Sequence, residues 1–376
     1  MPAGHAVSIV EHEGDFLDLR EEWRRLFARA RTPYASQGFE WSRCVWETML
    51  RPRGGRLRCV VIRAGGRLRL AWPTAVLPHH RFWSVLVPLG SGEYTDVLAE
   101  DGPDARELAA SAWKALRSRC RADFIFLERV RVGSLLSVAL GEAGLPPSRL
   151  RPAPCVTWNC AGNEAAWDGY YRGLAKNLRS QTERRRRRLA ERGSLAFEVV
   201  GEGERYRVLA AWMLAQKASW LTRTGRHSEW IGSPEYAAFV QAIPHYLAAN
   251  PSGGVGAVDM GAVKMFALCQ GDAVLAAELN CISGHVVEFI NGAYDPAYEQ
   301  LSPGHILRAH TLRWAFDRGL TYDFRPGEER YKDAYANDGC DTANYYLTNS
   351  LRGRLHQHLG AALKRLPRPM RPPIGR

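Results

Sequence analysis

The sequence predicts an α+β protein of two successive units, each a mixed, largely antiparallel sheet flanked by helices. Three observations carry this reading. The chain is 376 residues long, more than one ordinary domain holds. Its apolar spacing switches between the helical and the strand period in the same order twice: helices, an antiparallel meander, a helix and a further strand. Between the two runs lies a Pro- and Arg-rich stretch, 146–154 (PPSRLRPAP), which reads as a linker. The expected units are 1–153 and 154–366, with a disordered tail at 367–376. The halves differ in sequence, so the repeat is one of architecture only.

In the first unit, Phe16, Leu19, Trp23, Leu26 and Phe27 recur at helical spacing within 15–31, and a second helix fits 38–49. Residues 58–64 and 67–77, around Gly65-Gly66, read as a hairpin. Strands follow at 82–89 and 94–98, a helix at 104–121, a strand at 123–128 and a short helix at 133–143. The second unit opens with a strand at 155–160 and helices at 164–173 and 175–192. A strand at 195–200 precedes long helices at 204–223 and 234–249. Three strands come next, 263–269, 273–282 and 285–294, separated by Gly271-Asp272 and Ser283-Gly284 turns. A helix at 304–318, strands at 320–325 and 344–349, and a final helix at 351–365 complete the pattern.

Composition narrows the setting. The net charge is +12, and only six of the 51 basic residues are lysine, the other 45 being arginine. With the many Ala and Gly, this is the signature of a GC-rich genome, so part of the charge reflects codon use. The remainder attracts polyanions without choosing among nucleic acid, anionic membrane and coenzyme phosphates. The eight cysteines form no CxxC pair, which speaks for buried free thiols and against a zinc site or disulfide framework. The first residues lack the pattern of a signal peptide, and no 18-residue apolar run occurs. The expected setting is a bacterial cytoplasm, and the expected state a monomer or homodimer without metal.

The chemistry concentrates in 285–332. A strand ends in Asn291 and Tyr294, and Ser302-Pro303-Gly304 then opens a helix. Ser and Pro suit a helix start, and Gly304 lets a ligand approach the backbone. Such a start presents free N–H groups and a positive dipole end, a ready phosphate site. The next strand ends in Asp323 and Arg325, followed by Glu328, Glu329, Tyr331 and Lys332, a charged cluster suited to substrate binding. Glu278 and Glu288 are carboxylates within apolar strands. Each could serve as a general base or as a paired structural carboxylate. Glu278 is the first candidate and Glu288 the reserve. Arg184 to Arg188 are consecutive and so wrap their helix, either as a solvated surface or as an electrostatic lip for phosphates, tRNA or an anionic acceptor. Trp167, Tyr170 and Tyr171 suit core packing or nucleotide stacking. His227 and His305 complete no Ser-His-Asp triad, and neither a P-loop nor a Rossmann fingerprint occurs.

These residues carry a resemblance. The chain resembles the CelD/BcsL-type acetyltransferases, a branch of the GNAT superfamily, over most of its length. The likeness is clearest in three places. One is Trp23 with Ser36, Phe39 and Trp41, then LGSGEYTDVLA at 89–99. Another is the basic helix at 176–193 followed by FEVV and QKASW at 216–220. The most specific is YDPAYEQLSPGHIL at 294–307, with WAFDRGLTYDF at 314–324 and GEERYK at 327–332. The layout of two GNAT domains in tandem is similar to that of the Fem ligases, which use aminoacyl-tRNA.

The resemblance implies an acyl donor, acetyl-CoA or another acyl-CoA, held at its pyrophosphate by the backbone of Ser302, Gly304, His305 and Ile306, with an N–H near Asn291 facing the oxyanion. Ile306 stands where the usual phosphate loop has its last glycine, which leaves acyl-CoA and aminoacyl-tRNA both open as donors. Tyr331-Lys332 resembles the aromatic-Lys pair of the Fem ligases, where the lysine meets a phosphate or a developing charge; the alternative is a surface lysine. The implied reaction is N-acyl transfer to a small amine or amino sugar. Glu278 would act as base, Lys332 would stabilise charge, and Tyr294 or Tyr331 would protonate the leaving group. The alternatives are a Fem-like aminoacyl transferase acting on charged tRNA and a non-catalytic partner in polysaccharide assembly.

Overall fold

The computed structural model describes residues 4–31, 33–79, 82–90, 94–156, 164–248, 262–326 and 331–355. From the N-terminus, β1 (Ala6–Val10) leads through α1 (Glu13–Asp18), α2 (Arg20–Arg29) and α3 (Phe39–Val45) to a meander. Its strands are β2 (Arg56–Leu57), β3 (Cys59–Ala64), β4 (Arg67–Trp72), β5 (Thr74–His79), β6 (Trp83–Pro88) and β7 (Leu98–Ala99). Helix α4 (Ala105–Arg119), β8 (Phe124–Arg131), α5 (Leu135–Glu142) and β9 (Arg149–Val156) follow. Then come α6 (Glu164–Gly173), α7 (Lys176–Ala190), β10 (Leu195–Val200), α8 (Gly203–Thr224) and α9 (Pro234–Ala248). The last part runs β11 (Ala262–Gln270), β12 (Ala273–Ser283), β13 (Val286–Tyr294), α10 (Pro303–Phe316), β14 (Thr321–Asp323), α11 (Tyr331–Tyr335) and β15 (Asp338–Thr348).

The chain divides into two compact units. One comprises Met1–Arg31, Leu50–Leu150 and Ala343–Arg376; the other comprises Thr32–Met49 and Arg151–Thr342. This division differs from a single cut after residue 153 in two places. Residues 32–49 belong with the second unit because α3 packs on α9, with Trp41 edge-on to Phe239 at 5.3 Å and Glu47 accepting from the Tyr246 hydroxyl. The chain from Ala343 onward belongs with the first, where Asn344 Oδ1 accepts from Arg129 N at 2.9 Å. Both are contacts between residues distant in sequence, which local patterning does not register. The stretch expected as a linker is largely the strand β9, whose prolines break the alternation by which strands are recognised. The tail at 367–376 lies outside the described residues.

In the first unit, β1-β3-β4-β7 form one sheet, and β8-β6-β5-β2 are neighbours in another. Gly65 and Gly66 take φ of 58° and 72°, the left-handed pair that a tight hairpin requires. The second arm of the expected hairpin breaks at Pro73, which donates no ladder bond, and β5 continues in the other sheet. The expected strand at 94–98 shrinks to Leu98–Ala99. Helix α4 turns Leu108, Ala112 and Leu116 into a core with Trp72, Trp113 and Leu127.

In the second unit the order is β10-β11-β12-β13-β14, then the end of β9. The first four strands are antiparallel, while β13 and β14 pair in parallel. Gly271 and Gly284 make the turns with φ of 57° and 58°. Every residue of β12 after Ala273 is buried, so both faces of the sheet are covered. On one face, Ile306 and Leu307 of α10 and Leu189 of α7 pack on Phe266, Leu268 and Ala276. On the other, Arg205 of α8 donates to Cys269 Sγ at 3.3 Å, and Tyr206 donates to Val240 O in α9 at 2.8 Å. Among the described cysteines, Cys44, Cys59, Cys120, Cys269 and Cys281 are free and buried. Trp167 and Tyr170 of α6 pack against the second unit's core.

Candidate active site

The site arises where two parallel strands part. Strand β14 pairs with β13 at Val286–Thr321, Val287–Tyr322 and Glu288–Asp323, and there it ends. Strand β13 runs on to Tyr294. A bulge at Ile290 sets Asn280 opposite Phe289 but Leu279 opposite Asn291. Phe289 and Asn291 therefore face opposite sides of the sheet, although strand period alone would place them together.

On the α10 side, the gap opens into a cavity of about 400 Å³ within the second unit. Its floor holds Glu278, Phe289, Gly292 and Arg308, and the first turn of α10 and Tyr331 stand over it. The last turns of α8 supply Lys217, Trp220 and Arg223.

Glu278 is buried, at 2 % exposure, and so is its partner Arg308 of α10, with Arg308 Nη2 donating to Glu278 Oε2 at 2.9 Å. Arg308 Nη1 also donates to the Tyr322 hydroxyl; that hydroxyl donates to Asn280 Oδ1 at 3.0 Å, and Asn280 Nδ2 returns to Glu278 Oε1 at 3.4 Å. The four side chains close a ring. The Arg308 guanidinium lies 4.6 Å from the Phe289 ring, 5.3 Å from Phe324 and 5.7 Å from Tyr331. Aromatic faces thus stand in for part of the water this cation has lost. Gly292, opposite Glu278 in the register, leaves the room: a Cβ there would meet Phe289 Cε2 at 3.0 Å and Glu278 Cβ at 3.3 Å.

Helix α10 begins where the sequence places it, by a different device. Ser302 does not cap with its hydroxyl; its backbone is left-handed, with φ of 45°, and its Oγ donates to Glu299 O at 3.3 Å. A Cβ on Gly304 would meet only Tyr294 Cδ1, at 3.9 Å, so the first turn is open to close approach from the cavity. Ile306 is 1 % exposed and packs in the core behind the turn. Its bulk points away from the path that a glycine at this position would keep clear. His305 Nδ1 lies 3.1 Å from the Tyr335 hydroxyl. Burial pushes His305 below the usual histidine range, and the charges of Arg185 and Arg308 add to the effect. Burial also pushes Tyr335 up, to about 12.

The other expected residues separate into those on the cavity and those beneath it. Tyr294 and Tyr331 line it. The Tyr294 hydroxyl donates to Glu299 Oε1 at 2.9 Å; burial raises its pKa, and Glu299 raises it further. Asn291 lies on the far face, 3.4 Å from the Tyr236 hydroxyl, and its own Oδ1 accepts from Gly292 N at 2.9 Å. Glu288 is also on that far face, ion-paired with Arg325 and accepting from Ala35 N at 3.5 Å. The expected reserve base is therefore a structural carboxylate away from the cavity. Asp323 and Arg325 are buried rather than cavity-lining: Asp323 Oδ1 accepts from Arg325 N at 2.7 Å, which suits the left-handed φ of 60° at Arg325. Lys332 is no surface lysine. It is 4 % exposed, and its Nζ donates to Arg325 O at 3.2 Å. Glu328 lies outside the described residues. Among those described, no group of three or more His, Cys, Asp or Glu could hold a metal ion.

Sequence reasoning missed Arg308, although a signal existed: it is an arginine among the buried positions Ile306, Leu307, Thr311 and Leu312 of one helix. It also left Lys217, Trp220 and Arg223 out of the site. Lys217 Nζ lies 4.5 Å from the Trp220 ring, so this end of α8 offers the cavity a cationic, aromatic wall.

Residues 176–333 match the acetyltransferase (GNAT) domain family, a span that contains the whole cavity lining. A comparison with curated proteins gave no match. Among solved structures, FemX is similar at a TM-score of 0.57 and 12% identity, over 90% of this chain and 98% of that one. A tandem GNAT protein from the clavulanic acid biosynthesis pathway is similar at 0.52 and 11%, over 92% and 99%. The C-terminal domain of a putative lysylphosphatidylglycerol synthetase from Agrobacterium fabrum is similar at 0.51 and 10%, over 93% and 96%. At these identities the likeness is one of fold, a tandem GNAT-like α+β layout. Residues 176–333 thus match a GNAT acetyltransferase domain, a match that supports an acyltransferase.

Proposed function

We propose that the second unit transfers an acyl group, acetyl in the simplest case, from coenzyme A to the amine of a small molecule or amino sugar. One observation supports this above the others: a buried carboxylate, Glu278, opens on the same cavity as the first turn of α10, where β13 outruns β14. The turn suits a pyrophosphate, because Gly304 leaves its backbone open and Ile306 is turned into the core. Lys217 and Arg223 supply positive charge beside it. A cavity of about 400 Å³ suits the acyl end of the donor together with a small acceptor.

In this reading the acceptor nitrogen attacks the thioester carbon. The C–N bond forms, the amine proton passes to Glu278, and the C–S bond breaks as Tyr294 or Tyr331 protonates the sulfur. Arg308 and Asn280 hold the Glu278 carboxylate in place. The oxyanion falls to a backbone N–H of β13 near Asn291, where the strand runs past β14, since the first-turn N–H groups of α10 face the pyrophosphate. Lys332 steadies the turn after β14 through Arg325 O and acts on the site through that turn.

The test is a thermal-shift screen of acyl-CoAs beside charged tRNA, followed by turnover with the donor that binds. Stabilisation by coenzyme A supports this reading. Steeply salt-dependent binding of tRNA alone replaces it with aminoacyl transfer. Full turnover retained by both Glu278→Gln and Lys332→Ala would remove these residue roles.

A further inference from the structure

Acyl transfer to an amine takes two protons off nitrogen, and Glu278 accounts for one. A primary alkylamine in neutral water is an ammonium ion, with a pKa of about 10. An ammonium and a thioester give an amide, a thiol and one free proton. The proton lost during attack passes to Glu278 and balances the one that a tyrosine gives to sulfur. The earlier proton must leave before nitrogen has a lone pair with which to attack. Both Glu278 oxygens are already engaged, Oε2 by Arg308 and Oε1 by Asn280, so a second group is needed for it.

His305 stands on the same cavity, in the first turn of α10. Its Nδ1 lies 3.1 Å from the Tyr335 hydroxyl, which also donates to the His305 carbonyl at 3.4 Å. A hydroxyl has one hydrogen and two lone pairs. Both contacts are satisfied when Nδ1–H donates to the Tyr335 oxygen and the hydroxyl hydrogen goes to the carbonyl. The other tautomer satisfies one of them. Nε2 is then the bare nitrogen of the ring. It has no hydrogen-bond partner among the described residues and is not one of their sealed polar atoms. Tyr335 is itself fixed, 2% exposed, with its carbonyl accepting from the Tyr170 hydroxyl at 2.9 Å. The ring therefore has its orienting partner in place before substrate arrives.

The charges acting on this ring are Arg185 of α7 and Arg308 of α10, and the Tyr331 ring lies 6.2 Å away. Lys217, Arg223, Glu278, Tyr294 and Glu299 line the rest of the cavity. Burial and the two arginines hold the imidazole neutral at neutral pH, the form a base requires.

We propose that His305 is a further catalytic residue, whose Nε2 takes the first proton from the arriving ammonium and releases it to solvent. The inference rests on acyl transfer to an amine in this cavity and holds for either donor.

The experiment is the pH profile of acceptor kcat/KM for the parent, His305→Gln and Tyr335→Phe, run with the donor that supports turnover. The parent value should be level between the lowered pKa of His305 and that of the acceptor ammonium. His305→Gln should be about a hundredfold lower at pH 7 and climb with a slope of one in log units, approaching the parent where the acceptor is free amine. Tyr335→Phe, a loss of orientation alone, should fall between the two, and donor KM should stay unchanged in both. A merely structural defect lowers the rate alike at every pH. A His305→Gln profile parallel to the parent's would overturn the proposal, as would an effect confined to donor KM. Imidazole 15N spectra test the same point without turnover: Nδ1 protonated and Nε2 bare near pH 7.5 is expected, and the reverse tautomer overturns it. Full turnover in Glu278→Gln beside a pH-dependent loss in His305→Gln would remove the Glu278 role and leave this one standing.

Discussion

Arg308 Nη2 and Glu278 Oε2 meet at 2.9 Å on the cavity floor, both side chains nearly sealed from water. Removing one partner strands the other's charge in a low-dielectric site. Arg308→Met or Glu278→Ala alone is expected to lower unfolding free energy by about 3–5 kcal/mol, whereas the double variant loses less than the sum. Urea unfolding of the four proteins measures this. Strict additivity would mean that the pair contributes no coupling.

The same pair has a kinetic signature. Glu278→Gln keeps the shape of the side chain and removes the base, so turnover should fall by about 10²–10⁴ with donor KM little changed. Tyr294→Phe and Tyr331→Phe, compared with it, identify the hydroxyl that serves the leaving group. A Glu278→Gln enzyme altered only in donor KM would move the carboxylate from chemistry to binding.

Two glycines should respond differently to the same methyl group. At Gly304 a Cβ meets only Tyr294 at 3.9 Å, so Gly304→Ala should fold normally yet raise donor KM, because the methyl stands where the phosphate approaches. At Gly292 the Cβ would press on Phe289 and Glu278, so Gly292→Ala should cost about 1–3 kcal/mol and disturb the Arg308 cage. Differential scanning calorimetry beside steady-state kinetics separates the two outcomes.

Acid sensitivity follows from two partly buried histidines. Burial lowers the pKa of both His305 and His310, with Arg185 and Arg308 acting on the first and Arg186 on the second. The unfolded chain therefore takes up protons near pH 6.5, where the folded chain does not. Their stabilising contribution is complete above the unfolded value and is lost as pH falls through the lowered folded values. Unfolding midpoints between pH 5 and pH 7.5 should decline toward acid. His310→Phe, a ring already stacked on Phe197, should flatten part of that slope.

Much of the second unit was legible in its sequence. The helix opening at Ser302-Pro303-Gly304, the three strands before it and the strand behind it all fall within a few residues of their expected bounds. Such signals are local: a period, a turn glycine, a proline that fits a first turn. Glu278 and Glu288 share the same local signal, a carboxylate in an apolar run, and Glu278 ranks first there with Glu288 in reserve.

What the sequence by itself determined is the order of helices and strands and the place where a strand gives way to an open helix start, because those depend on neighbours a few residues apart. Tertiary structure alone decided which carboxylate meets the cavity. The bulge at Ile290 and the covering of β12 on both faces put Glu278 with Arg308 and sent Glu288 to Arg325. A period-two pattern states that faces alternate; only packing assigns each face its partner.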